Sequence, residues 1–265
     1  MSRYAAMFER LRRRGEGAFG AFAMLGDPDL EAGAAVLDSL VEGGADMVEA
    51  GIPFSDPVAD GPVIQAAAVR ALAAGSRTAD GFRLLAGFRR RHPSVPVGIL
   101  TYANIVAARG MDAFYRAAAE AGVDSVLVAD VPLLEAQPFL AAARSAGVAP
   151  VLIAAPNTPA ERLARIAAEG AGYTYCVARA GVTGADDAVR FAEPVLATLR
   201  EAGAPPPILG FGISQPEHVR SALQAGAAGV ICGSAIVDRI GRGEDVRAFV
   251  AAMKAATRGV HSLTS

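Results

Sequence analysis

A helix that ends in glycine, followed about three residues later by a short apolar run, recurs along most of this chain. The pattern appears at Gly44-Ala45-Asp46-Met47, Gly122-Val123-Asp124-Ser125, Gly147-Val148-Ala149-Pro150, Gly172-Tyr173, Gly203 ahead of Pro207, and Gly226-Ala227-Ala228-Gly229. Glycine supplies the left-handed residue that ends a helix and turns the chain back towards a sheet. The runs that follow, such as V-G-I-L-T, S-V-L-V-A-D and G-V-I-C, are continuously apolar. Strands read this way when helices cover both faces of a parallel sheet. Eight strands are expected, near residues 19–24, 47–51, 97–101, 125–129, 150–154, 173–177, 207–211 and 229–232. Eight βα units in 265 residues fit an α/β fold of one kind, a single (β/α)8 TIM barrel over residues 1–265. It should carry an extra N-terminal helix and an extra helix after the second strand. An open doubly wound sheet would normally have a glycine-rich first turn, and Gly26-Asp27-Pro28-Asp29 is not one.

Composition narrows the functional classes. Hydrophobic residues make up 52% of the chain, but no run is long and pure enough to cross a bilayer. A net charge of −2 creates no field for nucleic acid or an anionic membrane surface. Cys176 and Cys232 both lie in apolar strand runs, as reduced core residues would. The N-terminal stretch M-S-R-Y-A-A-M-F-E-R-L-R-R-R has helical period and no signal-peptide core. Together these point to a cytoplasmic protein.

The stretch from Met47 to Gln65, M-V-E-A-G-I-P-F-S-D-P-V-A-D-G-P-V-I-Q, carries the densest chemistry. It runs as a buried strand, breaks at Gly51 and Pro53, and restarts as a helix behind Gly61 and Pro62. Asp60 stands where a helix cap would stand. Glu49 lies inside the apolar strand, where an unpaired carboxylate is costly and where burial raises its pKa towards values useful for proton transfer. Two connections follow strand C-termini as long loops, Pro53–Asp60 and Arg179–Asp187, on the face where barrel enzymes keep their chemistry.

The far rim has a different character. Gly181-Val182-Thr183-Gly184, Gly210-Phe211-Gly212-Ile213-Ser214 and Cys232-Gly233-Ser234-Ala235 follow the sixth, seventh and eighth strands. Each glycine alone is a turn signal. Their arrival at one rim suits phosphate, because backbone amides at a helix start point at the anion and glycine lets it approach. The only lysine, Lys254, lies in the C-terminal helix rather than at a strand end, which excludes a Schiff-base aldolase. His92, His218 and His261 are scattered, so no metal cluster is expected. Glu49 and Asp60 remain as the acid/base pair, in a pocket lined by Phe22, Leu100, Leu127, Ile153, Tyr175 and Phe211. Lyase or isomerase chemistry on a phosphorylated hydrophobic molecule is the reading this supports.

The blocks E-A-G-I-P-F-S-D-P-V-A-D-G-P-V-I-Q (49–65), Y-A-N (102–104), D-S-V-L-V-A-D-V-P (124–132), Y-T-Y-C-V-A-R-A-G-V-T-G (173–184), G-F-G-I-S (210–214) and G-S-A-I-V (233–237) span nearly the whole chain. In them the sequence resembles the tryptophan synthase alpha subunit family. It departs at Ala180, where the family more often carries serine. The resemblance implies a cofactor-free retro-aldol cleavage of indole-3-glycerol phosphate to indole and glyceraldehyde 3-phosphate. It implies that Asp60 serves the indole N–H, while Glu49 handles the proton at C3 and the side-chain hydroxyl. Tyr175 and Thr183 would organise the pocket and loop closure, and Gly184, Gly212, Gly233 and Ser234 would hold the phosphate. It further implies a pyridoxal-phosphate beta subunit that consumes indole within an α2β2 complex, faced by Asp56 and the Arg179–Asp187 loop. A free-standing lyase and a non-catalytic activating subunit are the alternatives.

Overall fold

The computed structural model describes residues 1–177, 185–210 and 212–259. Its strands are β1 (Ala18–Met24), β2 (Met47–Gly51), β3 (Val97–Thr101), β4 (Ser125–Val128), β5 (Ala149–Pro150), β6 (Leu152–Ala154), β7 (Thr174–Cys176), β8 (Pro207–Leu209) and β9 (Gly229–Cys232). All ladders are parallel, in the order β5-β4-β3-β2-β1-β9-β8-β7-β6. The eight expected strands are all present, and one is interrupted. The run expected at 150–154 forms β5 and β6 on either side of Val151. Pro150 has no N–H to give to a ladder. β5 pairs with β4 and β6 with β7, while the Val151 N–H still reaches the Val126 carbonyl at 3.0 Å. The chain itself therefore joins the two ends of the ladder, and the sheet closes into a barrel.

The expected extra helices are Arg3–Arg14, ahead of β1, and the pair Pro62–Ala73 and Thr78–Arg91, which both lie between β2 and β3. A short helix that the sequence pattern did not suggest, Ala103–Ala108, precedes the helix Met111–Glu120. It starts where the Asp130 carboxylate accepts the Ala103 N–H at 2.8 Å. The glycines read as helix stops, Gly44, Gly122, Gly147, Gly172, Gly203 and Gly226, all adopt positive φ. The helix Ala185–Glu201 begins inside the stretch expected as the Arg179–Asp187 loop. Among the described residues no helix is long and apolar enough to cross a membrane.

Both faces of the strands β1, β2, β8 and β9 are fully buried and those of the others largely so, which is why the runs are apolar. Phe19, Ala21, Ala23, Val48 and Ala50 pack under the outer helices. Phe22, Met24, Met47, Leu127, Tyr173, Ile208 and Ile231 fill the interior together with Tyr4, Met7 and Leu11 of the first helix. That helix thus plugs the barrel from the end where the strands begin. The Tyr4 hydroxyl bonds the Ser125 Oγ at 2.8 Å, and its ring lies 5.4 Å from that of Tyr173. Gly98 makes the space: a Cβ there would stand 3.0 Å from the Tyr4 hydroxyl and 2.5 Å from the Ser125 Oγ.

Charged groups close the same floor. The Lys254 ammonium lies 2.9 Å from both Glu16 and Asp46 and 3.3 Å from the Gly17 carbonyl. Asp46 also accepts the Phe19 N–H at 2.9 Å. Arg89 pairs with Asp124 at 2.6 Å and spans the carbonyls of Gly122, His92 and Val95. Both networks sit where strands begin, so the one lysine serves the fold at the end opposite the loops.

Lys254→Met should lower unfolding stability by about 3 kcal/mol, because it leaves two largely buried carboxylates without their cation. Lys254 holds the Glu16 carboxyl below its ordinary range. That part of the stability is present above the unfolded carboxylate range and is lost as pH falls through the depressed folded value. Urea denaturation of parent and variant measures it, and equal midpoints near neutral pH would show that the network contributes nothing.

Candidate active site

Alternation along β2 points Met47 and Glu49 inward. Register places Glu49 beside Phe22 of β1 and Gly98 of β3. Glu49 is 1% exposed, and its Oε1 accepts a hydrogen bond from the Tyr173 hydroxyl at 2.7 Å. Burial is the main force on its pKa and raises it; the nearby Asp60 charge raises it further, and the Tyr173 bond opposes both. The outcome is a carboxyl pushed up to about 7. Tyr173 itself is held far above its usual range by burial, so it remains a neutral donor.

Beyond Gly51 the chain leaves the sheet and re-enters structure at the helix Pro62–Ala73. The N-cap of that helix is Gly61, with no side-chain cap and with proline at the first position. Asp60 is therefore not spent as a cap. Its carboxyl instead meets the Tyr102 hydroxyl and faces the barrel mouth, and burial raises its pKa while Tyr102 opposes the rise. The Gln65 Nε2 donates to the Asp60 carbonyl at 2.8 Å and steadies the backbone there.

Both acids border one cavity of about 300 Å³ at the C-terminal end of the barrel. Phe22, Ile64, Leu100, Tyr175, Ile213 and Ile231 give it apolar walls, and Gly210, Gly212, Ser214, Gly233, Ser234 and Ala235 form the opposite rim. Gly51 lets the Phe22 ring lie flush, since a Cβ there would come within 2.6 Å of it. The Tyr175 hydroxyl donates to the Gly210 carbonyl at 2.8 Å. The helix Ser234–Gly241 starts at Gly233 with no side-chain cap. The Ile236 and Val237 amides donate to the Gly233 carbonyl at 2.9 and 3.0 Å, which leaves the Ser234 and Ala235 amides at the helix start without an acceptor in the helix, as suits an anion. The polar inventory is thus two carboxylates, hydroxyls and backbone amides. Among the described residues no group of three His, Cys, Asp or Glu side chains converges as metal ligands would.

Of the residues singled out by sequence, the cavity brings together Glu49, Asp60, Phe22, Leu100, Tyr175, Gly212, Gly233 and Ser234. It does not bring in Leu127 or Ile153. Leu127, 2% exposed, is packed within the barrel interior, level with Leu100 in the ladder. Ile153 fronts a separate cavity of about 360 Å³ beside Val128–Leu133. Asp56 is exposed, and its carboxylate accepts the Ser55 hydroxyl at 2.6 Å. Thr183, Gly184 and Phe211 lie outside the described residues. Sequence reading passed over Tyr173, although Tyr173 and Tyr175 are two apart in one strand run and so share a face. It also passed over Tyr102 and Ile64, which carry no chemical signal until the fold places them.

A parallel barrel with one buried and one half-buried acid and an amide rim at the C-terminal ends of its strands defines a barrel enzyme of the acid–base kind. The family model described as the tryptophan synthase alpha chain matches residues 8–264. The tryptophan synthase alpha chain of Shewanella amazonensis is 52% identical over 97% of this chain and 100% of its own length. That of Klebsiella pneumoniae is 51% identical over 97% and 99%. Among solved structures, tryptophan synthase from Mycobacterium tuberculosis in its aminoacrylate-bound form superposes with a TM-score of 0.88 at 28% identity, covering 97% of this chain and 100% of that one. The tryptophan synthase alpha chain of Legionella pneumophila gives 0.88 at 29%, covering 99% and 100%. The chain belongs to the tryptophan synthase alpha chain family, whose activity is cleavage of indole-3-glycerol phosphate, a lyase reaction.

The raised pKa of Glu49 has a consequence for stability. Its ionised form is disfavoured in the fold, so the penalty grows as pH rises from the ordinary carboxylate range through about 7. Glu49→Gln should therefore gain stability over the parent at about pH 8 relative to about pH 4, by on the order of 3 kcal/mol. Denaturant unfolding at the two pH values measures the difference, and an equal effect at both would show that the carboxyl titrates normally.

Proposed function

We propose that Glu49 and Asp60 carry the cleavage between them, with the substrate's indole in the apolar half of the cavity and its phosphate on the amide rim. One observation bears most of this reading: the two acids border a single apolar cavity but differ in burial, Glu49 being enclosed and Asp60 half-exposed. Protonated near neutrality, Glu49 gives its proton to indole C3 and makes the ring an electron sink. The ring nitrogen becomes cationic, and ionised Asp60 stabilises its N–H. The Glu49 carboxylate then takes the proton of the side-chain hydroxyl. As that O–H electron pair forms the aldehyde carbonyl, the bond to C3 breaks and its pair returns to the ring. Indole and glyceraldehyde 3-phosphate leave, and Glu49 is again protonated. No cofactor is needed in this sequence of steps. Gly212, Gly233, Ser234 and, by resemblance, Gly184 hold the phosphate, while Tyr175 and Thr183 organise the pocket.

The partner is a beta subunit with pyridoxal phosphate, in an α2β2 assembly that receives the indole. The support on this chain is an apolar outer rim: Val58 and Leu134, on the loops after β2 and β4, are 81% and 66% exposed. Asp56 stands exposed on the same loop as Val58. Two free, buried thiols, Cys176 and Cys232, agree with a reducing compartment such as the cytoplasm.

Asp60→Asn and Glu49→Gln should each lose at least about a hundredfold in indole release, the range that acid/base groups supply. Purified protein and indole-3-glycerol phosphate suffice for the assay, and near-parental turnover in either variant would remove that residue from the mechanism. For the partner, the chain alone should be a poor catalyst that the beta subunit activates. Asp56→Ala should keep the basal rate and lose part of the activation. A chain already at full rate without beta subunit would sink this second reading.

A further inference from the structure

The loop that carries Asp60 has few ties of its own. Its internal backbone bonds run from the Val58 N–H to the Asp56 carbonyl at 2.9 Å and from the Asp60 N–H to the Pro57 carbonyl at 3.1 Å. Ser55 and Asp56 face solvent and bond each other. Two short turns of this kind do not aim a carboxylate.

Tyr102, the residue after β3, reaches across to the loop and touches it at both ends. Its ring lies 5.3 Å from that of Phe54, tilted by 32°. Its phenol oxygen accepts the Ala59 N–H at 3.2 Å, and its hydroxyl meets the Asp60 carboxyl. A phenol has one proton and lone pairs to spare. Accepting from the amide leaves the proton free for the carboxylate, so the phenol can serve both groups. The tyrosine is itself fixed: it is 1% exposed, and its carbonyl accepts the Ile105 and Val106 amides at the start of the helix Ala103–Ala108. Tyr102 does not border the cavity. It acts on the site through Asp60.

We infer that Tyr102 is the positioning residue of the second acid, docking the Pro53–Asp60 loop onto the barrel and fixing the direction in which the Asp60 carboxylate faces the cavity. The inference rests on the assignment of Asp60 above. Geometry and charge work together here. A donor on the carboxylate favours its ionised form, and burial opposes that form. The tyrosine therefore keeps Asp60 ionised at pH values where its surroundings would begin to protonate it.

Tyr102→Phe keeps the ring against Phe54 and deletes only the hydroxyl. Indole release by the full chain, alone and with beta subunit, should fall about tenfold or more in kcat, the scale of a misplaced catalytic group. KM should stay near the parental value. The acid limb of the pH–rate profile should move to higher pH, because the donor that favours ionised Asp60 is gone. Circular dichroism and thermal unfolding establish that the variant folds. A lower rate with an unmoved acid limb makes the side chain merely structural and overturns the inference. So does a parental rate in Tyr102→Phe when Asp60→Asn is inactive. An active Asp60→Asn overturns the assignment beneath it instead, and the two failures are read apart.

Discussion

A carboxylate inside a barrel of aliphatic and aromatic side chains is the constraint around which this structure is built. Glu49 sits at the centre of a parallel sheet, between Phe22 and Gly98, with solvent almost wholly excluded. Nothing cationic pairs with it among the described residues, and one tyrosine hydroxyl is its hydrogen-bond partner. An acid in that position stays neutral until pH approaches 7, which is the property proton transfer to carbon requires. The rest of the barrel makes such a position tolerable. Tyr4, entering with the plugging helix, packs on Tyr173 and holds the donor ring in place, and the missing side chain at Gly98 provides the room. Structure and reactivity therefore depend on the same few interior contacts.

Charge is divided between the ends of the barrel. Where strands begin, carboxylates have cations: Asp46 and Glu16 share Lys254, and Asp124 holds Arg89 and Arg3. Asp27, in the loop after the end of β1, binds Arg70 through two bonds of 2.7 and 2.8 Å and stands outside the cavity. At the cavity, Glu49 and Asp60 have hydroxyls for partners and, among the described residues, no cation. An ion pair would have driven Glu49 far below neutrality. A hydroxyl partner fixes direction and leaves Glu49 at about 7.

The rhythm of glycine stops and apolar runs was sufficient to read the barrel because each repeats one local event, a left-handed helix end before a strand buried on both faces. What it could not show was the break at Val151, which arises from pairing on opposite sides by a strand that contains proline. Glu49 was legible because a lone acid in an apolar strand has no bland explanation. Asp60 was ambiguous, since an aspartate before Gly-Pro serves equally as a cap, and only the uncapped helix at Gly61 decides between the two. Leu127 was misplaced because inward-facing leucines at the same height look alike in sequence, whether they wall the cavity or pack the interior. Tyr173 and Tyr102 were missed for a simpler reason. Tyrosine in or after a strand reads as core until its hydroxyl is seen to have a carboxylate opposite.

Those two tyrosines perform related tasks with different results, and burial accounts for the difference. Each donates to a carboxyl whose surroundings favour the neutral form. For Glu49, enclosed on every side and repelled by Asp60, the hydroxyl only moderates the rise, and the group ends near 7. For Asp60, on a loop at the mouth and half-exposed, desolvation is weaker and the same kind of bond keeps the acid closer to its ordinary range. The more deeply buried carboxyl is thus held at about 7, while Tyr102 opposes the rise at the other. Environments that separate two acids in this way suit them to different tasks, as the proposed mechanism requires. The depth of a residue in the barrel, set by whether it lies in β2 or beyond its end, is what chooses between them.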